Sequence, residues 1–399
     1  MKEDLGELTT HCIRCGFCLE SCPTFKITGE ETESPRGRIY LVRSALEGKL
    51  DWQEDVRPHM DQCLGCRACE TACPSGVEYG LIFELARDRL ETEAPRRAKK
   101  ALLQVVTTPG LMRLQVMLGR LMPGKRVPAV LSKLLSGEAP EADKPLPLKR
   151  ALEGDLGGDM RASNLQPKSR EVYILQGCVM RVLFDPVNQA TVRLLERVGC
   201  RVIPVDLGCC GALHAHNGDL SEAKKRAEEL AKRVPGDAPI IVNSAGCGST
   251  MKEYEDRGLA SRVKDASEFL LENGLVELLR QLPEKPQKVT YHDACHLAHG
   301  QRIWQAPREL LRAVPGLELI EMNEADTCCG SAGIYNVLQP KMARKLLDRK
   351  WANIAATGAE IAVTGNPGCH AWIAQAAREH GQKVEVMHTL ELLEQAFSS

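Results

Sequence analysis

Two cysteine runs restrict this chain more than anything else in it. Cys12-x-x-Cys15-x-x-Cys18-x-x-x-Cys22-Pro23 is followed by Cys63-x-x-Cys66-x-x-Cys69-x-x-x-Cys73-Pro74. A tight C-x-x-C-x-x-C loop wraps three thiolates and neighbouring backbone N–H groups around three corners of one [4Fe–4S] cubane. The next cysteine, turned away by its proline, reaches the other cluster. The spacing therefore assigns Cys12, Cys15, Cys18 and Cys73 to one cluster, and Cys63, Cys66, Cys69 and Cys22 to the second. Zinc also uses C-x-x-C pairs, but two pairs complete a zinc site, which has no use for a third cysteine at equal spacing or a Cys-Pro ending. Gly16, Gly65 and Gly76 beside the ligands allow the close backbone approach that such loops require. Two neighbouring clusters pass electrons one at a time and do no bond chemistry of their own.

The other cysteines fit a reducing compartment. There are 17 in 399 residues, an odd number, and Met1 to Glu7 lacks the apolar stretch of a secretory signal. Clustered thiols in such a chain read as metal ligands rather than a disulfide framework. Apolar runs stay well short of the ~18 residues that span a bilayer. The expectation is a cytoplasmic protein, peripheral on the cytosolic face of the inner membrane. A net charge of −1 and an aromatic content of 4 % argue against nucleic acid as a partner.

Cysteines also divide the chain. Eight lie between Cys12 and Cys73, and nine between Cys178 and Cys369. In the cysteine-free middle, residues 84–135 carry Leu, Met and Val at helical spacing around Leu111, Leu114, Met117, Leu118 and Leu121, and residues 136–170 read as a Pro- and Gly-rich linker. Beyond it lies an internal repeat. One copy runs strand (172–175), Cys178, helix, strand (201–205), Cys209-Cys210-Gly211, helix, strand (240–242), Cys247 and helix. The second runs strand (289–292), Cys295, helix, strand (317–321), Cys328-Cys329-Gly330, helix, strand (361–364), Cys369 and helix. Matching cysteines lie 117, 119 and 122 residues apart. The expected divisions are a ferredoxin-type domain (1–90), a helical segment and linker (91–170), and two Cys-Cys-Gly modules (171–275 and 286–397). The fold class is α-helical and ferredoxin-type at the N-terminus and α/β with mainly parallel sheets in the C-terminal half.

Each module places its cysteines at the C-terminal ends of predicted strands, where open α/β sheets carry their sites. Adjacent cysteines are rarely a packing choice, because neighbouring side chains of an extended segment point opposite ways. Cys200, outside the matched set, reads as a buried small hydrophobe.

Over nearly its whole length the chain resembles the glycolate oxidase iron–sulfur subunit family, which joins a double ferredoxin domain to two Cys-Cys-Gly domains. The resemblance rests on both cysteine runs and on Ser34-Pro35-Arg36-Gly37-Arg38, His292-Asp293-Ala294-Cys295-His296, Cys328-Cys329-Gly330-Ser331-Ala332-Gly333 and Asn366-Pro367-Gly368-Cys369. It implies a subunit of a glycolate dehydrogenase complex that takes electrons from an FAD-containing subunit and delivers them to membrane quinone. The same role toward D- or L-lactate, glycerol-3-phosphate or another 2-hydroxy acid is the near alternative. A stand-alone reductase of the heterodisulfide reductase type, in which similar domains hold a cluster, is the distant one. By this resemblance Cys178, Cys209, Cys210, Cys247, Cys295, Cys328, Cys329 and Cys369 form a candidate third redox site. The fullest Cys-Cys-Gly pattern ends in C-x-x-C, whereas here Thr250 follows Cys247 and Trp372 follows Cys369, leaving four thiols per module.

Six histidines crowd the same strand ends: His214, His216, His292, His296, His299 and His370. They are read either as donors to cluster sulfur and proton carriers or as loop-bonding groups. Arg36 and Arg38 either tune a cluster's charge or cap the helix that follows. No G-x-G-x-x-G or G-x-x-x-x-G-K-[ST] occurs. Iron–sulfur cubanes do not take hydride from carbon, so substrate oxidation needs a flavin on another subunit, with no flavin or nicotinamide expected on this one. Between Ala94 and Gly137 lie nine basic residues and no acidic one. That stretch could meet an anionic membrane surface, or be a helix with its apolar stripe in the core.

Overall fold

The computed structural model describes residues 4–121, 170–205, 208–381 and 383–398. The expected linker up to residue 169, and the basic stretch beyond residue 121, lie outside the described residues.

The N-terminal region is a set of short helices separated by the cysteine loops. Helix Pro35–Leu46 starts where its sequence dictates: the Ser34 hydroxyl accepts from the Gly37 N–H at 3.0 Å, and Pro35 fills the first turn. It buries Ile39, Val42 and Ala45 against Trp52, Val56, Met60, Ile82, Phe83 and Leu90. In this packing the Cys-containing loops are held between helices. The two loops share one backbone shape, in which both residues flanking the second cysteine have positive φ: Arg14 (59°) and Gly16 (90°) in the first, Gly65 (63°) and Arg67 (65°) in the second. Glycine and arginine have changed places between the copies, and each run keeps one non-glycine residue in the left-handed region.

Helices Arg97–Thr107 and Pro109–Leu121 follow. Leu103, Val106 and Met112 are buried against Ile334 of the second module, whereas Leu111, Leu114 and Met117 of the expected apolar stripe are exposed, so only part of the segment's apolar surface faces the core. Of its basic residues, Arg96 bonds Asp61 and Glu91, and Lys99, almost wholly buried, bonds Glu91 at 3.0 Å.

The C-terminal half contains two parallel sheets. Strands β1 (Arg170–Leu175), β2 (Cys200–Val205), β3 (Ile240–Val242) and β4 (Val263–Asp265) pair in the order β2-β1-β3-β4. Strands β5 (Gln287–His292), β6 (Leu317–Ile320), β7 (Ile361–Thr364) and β8 (Glu385–His388) repeat that order as β6-β5-β7-β8. Every pairing is parallel, as the alternation of strands and helices requires. The sequence indicates three strands per module, and β4 and β8 are additions to it. At three and four residues, with Lys264, Asp265 and Glu385 among them, they lack the apolar run that marks a buried strand. Both modules contribute to one apolar core, in which Leu194, Leu195 and Phe269 meet Leu310, Leu311 and Leu393. Cys200 lies in this core, consistent with a packing role.

Candidate electron-transfer site

Cys22, Cys63, Cys66 and Cys69 stand around one small cavity of about 20 Å³, together with Arg38 and Tyr79. All four cysteines are buried. Burial and mutual repulsion push the Cys66 and Cys69 thiols well above their ordinary range, so a cationic iron core is what would hold such sulfurs as thiolates. Donors already point at these sulfurs. The Gly65 N–H reaches Cys63 Sγ at 3.4 Å, the Tyr79 hydroxyl reaches it at 3.5 Å, and Arg38 Nη1 lies 4.0 Å from Cys22 Sγ. Arg38 is only 1 % exposed and bonds Glu33, Thr24 and the His59 carbonyl. Burial opposes its charge, but Cys63, Tyr79, Cys22 and Glu33 outweigh it and keep the guanidinium protonated. Ser34 caps the following helix, so Arg38 is a fixed cation beside these sulfurs. Arg36 reaches the other loop, donating to the Arg14 carbonyl at 3.1 Å.

The first run is more open. Cys15 is exposed, Cys12, Cys18 and Cys73 are half-buried, and the latter three pack against the same helical core. The Val77 N–H donates to Cys73 Sγ at 3.5 Å. Ile13 and Phe17, inside this loop, are 69 % and 68 % exposed.

The second run abuts the modules. Leu64, Cys66 and Ala68 belong to the same apolar cluster as Cys295, Cys328, Cys329 and Cys369. Cys63 lines both the small cavity and a larger one of about 250 Å³. Around the larger one stand Cys178, Cys209, Cys210 and Cys247 of the first module and Cys295, Cys328 and Cys369 of the second. In the first module these thiols form a contiguous row, Cys209 touching Cys178 and Cys210, and Cys210 touching Cys247. Cys329 does not line the cavity. The left-handed Gly211 (φ 88°) and Gly330 (φ 90°) turn the chain directly after each pair, and a Cβ at Gly330 would fall 2.7 Å from the Ala343 carbonyl.

The six strand-end histidines are bonded to loops and helices. His214 meets Thr107 at 3.1 Å, His216 meets Glu84 at 2.8 Å, and His299 meets Thr71 at 3.0 Å; all three bonds join a module to the chain before residue 122. His296 bonds the Gly65 backbone and lies 4.7 Å, ring to ring, from His216. His292 bonds the Ala325 carbonyl at 3.1 Å and His370 the Val386 carbonyl at 2.7 Å. At the two positions where the fullest pattern has a further cysteine, Thr250 contacts His216 and Trp372 is buried in the apolar cluster.

Comparison with known proteins agrees with this arrangement. Residues 9–77 match the 4Fe-4S dicluster domain, and residues 172–252 and 289–374 match the Cysteine-rich domain. The chain is 37 % identical to the probable glycolate oxidase iron-sulfur subunit of Bacillus subtilis, over 99 % of this chain and 95 % of that one. It belongs to the glycolate oxidase iron–sulfur subunit family. The Escherichia coli glycolate oxidase iron-sulfur subunit is 34 % identical over 96 % of this chain and 93 % of its own length. Lactate utilization protein A of Oceanobacillus iheyensis is 31 % identical over 56 % of this chain and 96 % of that one. As a family member the chain carries two [4Fe–4S] clusters in its dicluster domain and is a subunit of an oxidoreductase complex. Among the described residues no helix is long and apolar enough to cross a membrane.

Sequence reasoning passed over several residues of this site. Tyr79 and Arg87 have no motif to mark them. Arg87 donates to the carbonyls of Met60 (2.8 Å), Cys63 (3.1 Å) and His216 (2.7 Å), fixing the second loop against the first module. Lys350, 2 % exposed, sits beside the Cys328-Cys329 pair and donates to the Ala325 carbonyl.

Proposed function

We propose that this chain takes electrons from the flavin subunit of a 2-hydroxy-acid oxidase, with glycolate as the substrate and a membrane quinone as the final acceptor. The carrying observation is a succession of cysteine groups, the inner one sharing Cys63 with the module cavity. It runs from the exposed Cys15 end, through the buried group of Cys22, Cys63, Cys66 and Cys69, to the cavity where the thiols of both modules meet. Cys12, Cys15, Cys18 and Cys73 would hold the outer [4Fe–4S] cluster, and Cys63, Cys66, Cys69 and Cys22 the inner one. Clusters held there supply one-electron carriage; the chain's own residues set entry, insulation and exit. Ile13 and Phe17 flank the exposed end and provide an apolar surface for the flavin subunit. Arg38 and Tyr79 keep the inner site positive and screened from water. The larger cavity, with apolar walls at Met112, Leu183 and Leu213, suits an exit toward a quinone or a third redox group held by the module cysteines. Substrate choice lies with the flavin subunit, and the glycolate assignment is supported by relationship along nearly the full chain, whereas the lactate-utilization relative spans about half of it.

The test is anaerobic mixing of the cluster-loaded chain with the flavoprotein that co-purifies with it. Glycolate should bleach the visible iron–sulfur absorbance, with lactate or glycerol-3-phosphate much slower. Bleaching by lactate alone moves the substrate assignment; reduction of a substrate by this chain without any flavoprotein defeats the subunit reading.

A further inference from the structure

The structure assigns a mononuclear zinc site to His292, Cys329 and Cys369, with His292 as the ligand that distinguishes the second module from the first. This goes beyond the electron-transfer reading, in which neither His292 nor Cys329 lines the cavity where the path ends. A ring nitrogen of His292 and the sulfurs of Cys329 and Cys369 all lie within 4.8 Å of one another, and all three residues are buried. Tetrahedral zinc with thiolate and imidazole ligands brings such atoms to roughly 3.5–3.8 Å, so the donors need to close by only about 1 Å.

The imidazole has the arrangement of a metal ligand. Its Nδ1 bonds the Ala325 carbonyl at 3.1 Å, which fixes that nitrogen as the N–H and leaves a lone pair on Nε2. Nε2 is fully buried and has no hydrogen-bond partner, and His292 is 0 % exposed. A buried acceptor left unbonded costs about 1–3 kcal/mol, and a metal ion removes that cost. Supporting groups surround the sulfurs. Asn366 Nδ2 donates to Cys369 Sγ at 3.5 Å, the Ser331 N–H bonds Cys329, and Lys350 donates at 3.2 Å to the same Ala325 carbonyl that orients His292. Two thiolates, one neutral imidazole and one divalent cation sum to zero charge, the condition under which ions are tolerated in an interior. Thiolate and imidazole together select zinc among the hard and borderline cations. The thiol of Cys328, in contact with that of Cys329, is a further donor for the fourth position.

The repeat isolates the contribution of His292. It is the last residue of β5, and the last residue of β1 is Leu175, 117 positions earlier and equally buried in apolar surroundings. In the first module all four matched thiols line the large cavity; in the second, Cys329 alone is absent from its lining and groups with His292 instead.

The experiment uses the full chain, purified anaerobically with its clusters, then exposed to Zn²⁺ and freed of excess. We expect one tightly held zinc per chain, with zinc-edge X-ray absorption reporting nitrogen near ~2.0–2.1 Å and sulfur near ~2.3 Å; the iron of the clusters does not contribute at that edge. His292→Asn keeps a donor for the Ala325 carbonyl but removes Nε2, and should weaken zinc retention at least ~tenfold while leaving iron content and melting temperature unchanged. Should that variant misfold, His292→Leu reproduces the first module's own residue and must show the same loss. Failure of the wild-type chain to take up zinc, an all-sulfur zinc shell, retention of zinc by a folded His292 variant, or additional iron at this site that is lost in Cys329→Ala would each overturn the assignment. None of these outcomes bears on electron transfer from the flavin subunit, which the glycolate experiment measures separately.

Discussion

Arg38 shows how a single side chain can set the behaviour of the inner sulfur site. Its guanidinium is sealed from water, paired with Glu33 at 2.5 Å and 4.0 Å from Cys22 Sγ. A fixed positive charge favours the more negative, reduced state of a cluster. Arg38→Gln should therefore lower the reduction potential of the inner cluster by on the order of 100 mV, since a unit charge a few ångströms away at an effective dielectric near 20 is worth a few kcal/mol. A redox titration followed by EPR reads this, and an unchanged potential would show that Arg38 is only a structural strut. Cys200 supplies the contrast. It starts β2, packs with Val172, Leu194 and Leu195, and lies outside both cavities. Cys200→Ser should cost about 1–2 kcal/mol for the buried hydroxyl and leave iron content and spectra untouched, whereas Cys66→Ser should reduce iron.

Among the elements, helix Tyr79–Glu93 packs Ile82, Phe83 and Leu90 into the core of the N-terminal domain, and its Glu91 ties it to the segment that follows. Its carboxylate meets Arg57 at 3.0 Å, Arg96 at 2.6 Å and Lys99 at 3.0 Å. Burial works against its charge, but Lys99 and Arg96 outweigh burial and hold the carboxyl down at about 2. A carboxyl depressed in the folded state contributes stability above the unfolded value of ~4.3, and that contribution is lost as pH falls toward the folded value. Glu91→Gln should destabilise the chain by about 2–4 kcal/mol at neutral pH, because three cations lose their shared acid. The gap between variant and wild type in urea midpoint should narrow as pH drops from ~5 to ~3. A gap independent of pH would place the effect in packing rather than charge. This network also accounts for part of the basic stretch: Arg96 and Lys99 hold two helices together inside the chain.

Across the whole molecule, the seam between the dicluster domain and the modules joins apolar contacts, such as those of Leu64 and Ala68, to polar bonds whose partners are more than a hundred residues apart. Gly218 sits on that seam with φ of 79°, and a Cβ there would fall 2.4 Å from the Arg87 carbonyl. Gly218→Ala should cost more than ~2 kcal/mol and loosen the seam. Limited proteolysis should then release the N-terminal domain faster, and equal protection would mean the seam tolerates the shift. At the opposite end, Phe17→Ala combined with Ile13→Ala should slow electron arrival from the flavin subunit about tenfold, as loss of buried interface anchors does, with iron content unchanged. Stopped-flow reduction measures it, and an unaltered rate would move the docking face elsewhere.

By itself, the sequence determined the fold class, the two-cluster character of the N-terminal domain and the duplication of the C-terminal half. These are local or periodic features: ligand spacing along a loop, apolar runs of strand length, and cysteines recurring at fixed offsets. The Arg14 and Arg67 exchange with glycine was invisible, because nothing in residue type marks arginine for positive φ. Strands β4 and β8 were missed because parallel edge strands form on a sheet already built, and short polar segments carry no period of their own. Only the tertiary structure decided which of the clustered histidines bond across a seam and which one keeps a buried lone pair beside two thiols. Long-range packing fixes those contacts, and residues such as His292 and Cys369, or Arg87 and His216, meet because whole elements fold together and not because of their spacing along the chain.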